Sequence, residues 1–142
     1  MSARSKARKR ALDILFGADL RELPIDQLLA DETTRAVARP ERESSWPYAR
    51  QIVEGVAEHR EELDALIIEN AHGWTLERMP VLDRAIARIG AWEILYNDEV
   101  PDAVAISEAV ESATVLSTDD SAGFLNGLLG SIARQKAPAA DA

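Results

Sequence analysis

Five cations stand within seven positions near the start of the chain: Arg4, Lys6, Arg8, Lys9 and Arg10. No acid interrupts them. Such a run can pair with phosphate oxygens, as point charges from lysine and as planar forks from arginine, and arginine can also stack on bases. The whole chain carries a formal net charge of −9, and outside the run 11 basic residues face 25 acidic ones. A body this acidic repels polyanions over most of its surface. The screening length of about 8 Å at physiological salt lets the run keep its own field. Cations at a helix N-terminus also oppose the macrodipole, by about 0.3–1 kcal/mol at exposed sites. Folding alone supplies no reason for that placement, and a bound polyanion would relieve the cost.

Other chemistry has little to stand on. His59 and His72 are the only histidines and fall in no ligand-type spacing. Both read as structural, His72 at a helix C-terminus. The absence of cysteine excludes disulfides, thiolate catalysis and cysteine zinc sites, and suits a reducing cytosol. There is no GxGxxG, no phosphate loop and no serine in an elbow context. Asp119 and Asp120 are adjacent, so their carboxylates diverge; they suit the positive end of a helix. The chain therefore reads as a binder and not an enzyme, with no metal and no cofactor. No apolar stretch approaches the roughly 20 residues that cross a membrane. Asp13 interrupts the apolar stretch a secretory signal needs, and the basic run leads straight into a helical pattern without a transit-type cleavage site. The expected location is the cytoplasm.

The elements that must position the run are helices. A hydrophobic fraction of 46% with only 7 Gly and 6 Pro supports a packed helical core. Residues 4–21 form a helix whose stripe is Ala11, Leu12, Leu15 and Ala18, with Ile14 and Phe16 outside it, so that helix must bury two faces or expose an aromatic. Pro24 breaks it; Ile25–Ala38 is a short helix and Arg39–Ser45 a surface loop. Ser45 and Pro47 suit the start of the next helix, and the polar run His59–Asp64 a bend into another that ends at Gly73.

Met79–Asn97 is the clearest helix, stepping through Leu82, Ile86, Ile89, Trp92 and Tyr96. Arg88 and Glu93 on it suggest a partly buried polar network. Pro101 opens a helix with Ile106, Val110 and Ala113 on one side. After Ser117–Ser121, the last helix carries Phe124, Leu128 and Ile132 at four-residue steps. Its Gly123, Gly127 and Gly130 each cost about 1 kcal/mol relative to Ala, which points to close approach by a helix or a ligand. The expectation is an all-α, compact bundle of about seven helices in two subdomains, about 4–72 and about 74–136, within a single domain 1–136. A disordered tail follows over 137–142.

Several of these segments also resemble a known family. IARIGAWEILY (Ile86–Tyr96), VPDAVAISEAVE (Val100–Glu111) and FLNGLL (Phe124–Leu129) resemble the C-terminal half of the NusB antitermination factors. The basic run followed by ALDILF (Ala11–Phe16) resembles the start of the same family, and the similarity spans about residues 4–136. The resemblance implies a NusB-like helical fold that binds the single-stranded boxA element of nascent rRNA-operon RNA. It implies NusE, a small-subunit ribosomal protein, as direct partner, and NusA, NusG and RNA polymerase as members of the wider complex that suppresses termination.

It also implies roles by position. Arg4, Lys6, Arg8, Lys9 and Arg10 would contact RNA phosphates. Phe16 stands where the family often has Tyr, keeping a ring for stacking but losing the hydroxyl. Asp120 and Phe124 would lie near RNA, and Asp83 on the NusE-facing side. Each has a plainer reading: Phe124 as core, Asp120 as a complement to its helix dipole, Asp83 as a solvated surface acid. Five phosphate contacts would give a slope of log K against log salt of roughly −3.5. Two alternatives remain. One is a homodimeric RNA-binding scaffold whose RNA surface is masked in the free state, favoured by an exposed Phe16. The other is a helix-turn-helix DNA binder, opposed by the acidic helix after Pro101.

Overall fold

The computed structural model describes residues 2–38 and 44–141. Among them are seven α-helices, a single 3-10 turn and no strand: α1 (Ala3–Arg21), α2 (Ile25–Ala38), α3 (Trp46–Glu58), α4 (Arg60–Asn70), the turn Leu76–Arg78, α5 (Val81–Tyr96), α6 (Asp102–Leu116) and α7 (Asp119–Asp141). The all-α class is as the periodicity predicts. Most of the expected loop, residues 39–43, lies outside the described residues, as does Ala142. α7 runs on to Asp141. Lys136 ties α7 to its neighbours by donating to the Ile94 carbonyl at 2.8 Å and to Asp102 at 2.9 Å.

The chain divides into two units, Met1–Glu58 and His59–Ala142. The division falls one helix earlier than the break near Gly73 suggests. The reason is packing: α4 lies on α5 and α7, while α1 lies on α3 and α2. Gly73 only turns the chain out of α4, at φ 94°.

In the first unit, α1 starts on Ser2, whose side chain accepts a hydrogen bond from the Ser5 N–H. It buries the expected stripe of Ala11, Leu12, Leu15 and Ala18, and also Ala7, Arg8 and Ile14. Two faces are thus covered, one by α3 with Ala49, Ile52, Val53 and Val56, the other by α2. Phe16 is half-buried.

In the second unit, α5 is the central helix. Every residue from Ala85 to Ile94 is buried, because α4, α6 and α7 all pack on it. Arg88 survives there by pairing with Asp64, Nε to Oδ1 at 2.8 Å and Nη2 to Oδ2 at 3.3 Å. Asn70 links α4 to α7 by accepting from Ser131 at 2.6 Å. Along α6 the deepest line is Ala105, Ala109 and Ala113, and the larger Ile106 and Val110 flank it. Small side chains at the seam let α6 come close to its neighbours.

The close approach anticipated at the glycines of α7 lies elsewhere. A Cβ on Gly123 or Gly127 would meet nothing within 4 Å, and one on Gly130 would meet only the Arg134 guanidinium, at 3.3 Å. On Gly90 it would stand 2.7 Å from Cδ1 and 3.1 Å from Cδ2 of the fully buried Leu129. It is α5 that needs the missing side chain, to receive α7.

Candidate nucleic-acid interface

The basic run occupies the first turns of α1, and the fold treats its members differently. Lys6 and Lys9 are exposed, and Arg4 is half-buried. The Arg4 guanidinium lies 4.8 Å from the centroid of the Tyr48 ring, and Arg8, only 7% exposed, lies 5.9 Å from the same ring. Stacking on a neutral ring holds a guanidinium in place without cancelling its charge. Arg10 is in another situation. It sits 5.1 Å from the Trp46 ring, donates to Ser45 at 2.9 Å, and pairs with the buried Glu32 at 2.6 Å.

Glu32 is also bound by Arg35 at 3.2 Å. Burial pushes its carboxyl up, but the hydrogen bonds and charges of Arg10 and Arg35 outweigh burial and hold it below its ordinary value. The expectation that folding has no use for these cations therefore needs correcting. Arg10 and Arg8 serve the first unit, because the aromatic pair at the start of α3 and an acid on α2 come up against α1. Lys6, Lys9 and Arg4 remain reachable from solvent. Nothing in the local sequence pairs Tyr48 with Arg4 across 44 positions, and Glu32 looks like any helix-surface acid; both were invisible to spacing arguments.

Lys6, Lys9 and Arg10 also face a groove of about 680 Å³ between α1 and α2. Asp13 lies in it. Partial desolvation raises the Asp13 carboxyl, with Lys9 lowering it and Glu32 adding to the rise.

The other candidate residues gather in the second unit, around the start of α7. Phe124 is half-buried and meets Trp74 edge-on, with ring centroids 6.5 Å apart. Trp74 is 51% exposed. These rings, with Arg78, Met79 and Pro80, border a cavity of about 500 Å³ that Asp120 and Asp83 also reach. Asp120 is exposed in the first turn of α7, where its charge suits the dipole. Asp83 is only 3% exposed, so the surface-acid reading fails for it. Its two oxygens accept from Ser117 and Ser121, each at 2.6 Å. It pins the α6–α7 junction to α5. Trp74 is the residue that periodicity missed: it lies in the turn after α4, outside any helical stripe.

Trp92 is buried at 4% and belongs to the core, as expected. His59 stacks on Tyr96 with centroids 3.9 Å apart, and the Tyr96 hydroxyl donates to Glu62. Both contacts tie the start of α4 to the end of α5. Among the described residues, no group of three or more His, Asp and Glu could hold a metal ion.

A family model described as the NusB family matches residues 5–134. The transcription antitermination protein NusB of Leifsonia xyli subsp. xyli is 65% identical over 136 residues, covering 96% of this chain and 94% of its own. Its namesake in Salinispora arenicola is 58% identical over 133 residues, covering 94% and 96%. Among solved structures, T. maritima NusB superposes with a TM-score of 0.80 at 27% identity, over 93% of this chain and 91% of that one. A chain of the crystal structure of antitermination factors NusB and NusE with double-stranded RNA gives 0.82 at 21% identity, over 95% and 98%, a likeness of fold alone. With a family model spanning nearly its whole length and relatives at this level of identity, the chain belongs to the NusB family.

Proposed function

We propose that this chain is a transcription antitermination factor that grips the single-stranded boxA element of nascent rRNA-operon RNA through α1, with NusE as its protein partner, and joins NusA, NusG and RNA polymerase to suppress termination. The observation that carries the reading is the exposure of Lys6 and Lys9, beside the ring-held Arg4, on a chain of net charge −9. Family membership supports the antitermination role, and a structural neighbour that includes NusE and RNA supports the two partners. The preference for an unpaired strand rests on Phe124 and Trp74. Accessible rings take up splayed bases, which a duplex keeps stacked inside. Asp120 and the half-buried Phe16 flank the proposed contacts on their own helices, and Asp83 acts on NusE only through the junction it pins.

The test is fluorescence anisotropy of a boxA-type RNA against a scrambled one, across a salt series, with and without NusE. Two exposed cations, Lys6 and Lys9, give a slope of log K against log salt of about −1.4, shallower than five would. The double variant Lys6→Gln/Lys9→Gln should keep its stability within about 0.5 kcal/mol and flatten the slope by about 1.4. Binding that ignores salt, or that the double variant leaves intact, refutes the reading. The masked-homodimer alternative leaned on an exposed Phe16, and that ring is half-buried. Light scattering of the free protein that gives a dimer at all concentrations would bring the alternative back.

A further inference from the structure

We propose that the α1–α2 groove is a second RNA contact, a phosphate track for unpaired nucleotides flanking the element that the start of α1 binds. The proposal rests on the RNA-binding reading above and extends it from Lys6 and Lys9 to Arg21 and Arg35, which that reading does not use.

The charge in the groove is the first argument. Five of its lining side chains are cationic and three acidic, in a chain whose overall balance is −9. Glu32 and Arg10, both poorly exposed, pair off, which leaves Lys6, Lys9, Arg21 and Arg35 against Asp13 and Asp31. Arg35 keeps its own side chain 65% exposed while contacting Glu32.

Position is the second argument. Lys6 and Lys9 stand at one end of the groove, on the same helix as Arg21 at the other. Lys6 and Arg21 stand fifteen helical positions apart, a rise of about 22 Å. A basic groove of that length can follow the backbone of a few unpaired nucleotides. Because Lys6 and Lys9 belong both to the exposed start of α1 and to the groove, a strand held at the first can continue into the second without a break.

Chemistry is the third. Few apolar residues line the groove, chiefly Ile14 at 7% exposure and the half-buried Leu28. That leaves no pocket for an apolar anchor of the kind a peptide helix uses. Lysine ammonium groups and arginine forks at a groove rim suit phosphate oxygens, which need charge and hydrogen-bond donors and no apolar seat. Asp13 stands against the track, between its two ends, and supplies a test of opposite sign.

The experiment compares two RNAs on the full chain: the element alone, and the element extended by about six unpaired nucleotides at each end in turn. For Arg21→Gln/Arg35→Gln, binding of the element alone should stay within about twofold. Binding of one extended RNA should weaken by about three- to tenfold, with the salt slope reduced by about 1.4. Asp13→Asn should strengthen binding of that same extended RNA. A circular dichroism melt on each variant separates loss of contact from loss of fold.

Equal loss on the short and extended RNAs overturns the track, and so does no loss on either. If the double variant weakens an acidic peptide and spares both extensions, the groove serves a protein partner and the track is again overturned. Failure of the unaltered chain to bind even the element would remove the parent reading as well, so the two failures are told apart by the short RNA.

Discussion

Charge is left over at the start of α1 and used up at the Asp83 corner of the second unit. Lys6 and Lys9 stand in solvent, whereas Asp83 lies at 3% exposure with both oxygens occupied by serine hydroxyls. Arg10 behaves like Asp83, although it belongs by sequence to the first group, because Glu32 neutralises it. Residue type and spacing mark where charge is concentrated. Whether that charge is free to meet a partner depends on what the neighbouring helices bring up against it.

The sharpest way to break the comparison is at Asp83. Replacing it with Ala removes two charge-assisted hydrogen bonds and leaves Ser117 and Ser121 without their acceptor. The expected cost is about 3–4 kcal/mol in a urea titration. A variant that kept full stability while losing partner binding would move Asp83 into the group of available charges.

Glu32→Gln is the next test. It leaves Arg10, whose side chain is only 13% exposed, without its counter-charge. The expected cost is about 2 kcal/mol near neutral pH. The sign with pH follows from a folded pKa held below the ordinary value of 4.5. The carboxyl contributes stability above the unfolded value, and that contribution is lost as pH falls through the lower folded value. The gap between parent and variant should therefore close in acid, as followed by thermal melts over a pH series.

Gly123→Ala and Gly127→Ala should each stabilise the chain by about 0.5–1 kcal/mol, since both positions are helical and a Cβ meets open space. A gain in stability accompanied by weaker RNA or NusE binding would show that a partner's surface comes close to the backbone there.

Asp13→Asn is the smallest effect, a slight gain near neutral pH that solvent screening at this exposed side chain keeps small. Desolvation raises the Asp13 carboxyl in the folded chain. Its ionised form thus costs stability above that raised pKa, and the cost vanishes below the unfolded value of about 3.8. Variant and parent should converge as pH falls. A variant less stable than its parent at neutral pH would mean that the contact with Lys9 outweighs burial.

Helix number and type were readable because Pro24, Pro47, Gly73 and Pro101 punctuate strong apolar periods. The core was readable for the same reason at Leu12, Leu63, Trp92 and Leu128, all of them buried. What escaped was long-range. The line Ala105, Ala109 and Ala113 is a weaker apolar signal than Ile106 and Val110, yet it is the one at the seam, because the approach of α5 and α7 selects small side chains. The unit boundary escaped because Gly73 is a stronger punctuation mark than His59, while packing follows contact and not punctuation. At the candidate site, the five cations, Asp120 and Phe124 were legible as types. Tyr48, Glu32, Trp74 and the serine pair were not, since each matters through a contact across many positions.

Gly90 and Leu129 occupy a shared volume, with no slack between them. Mutational drift at either position is therefore conditional on the other: a methyl group at 90 requires the side chain at 129 to swing aside or become smaller. Across relatives the two sites should change in step, so that their correlation would report the α5–α7 distance without any coordinates.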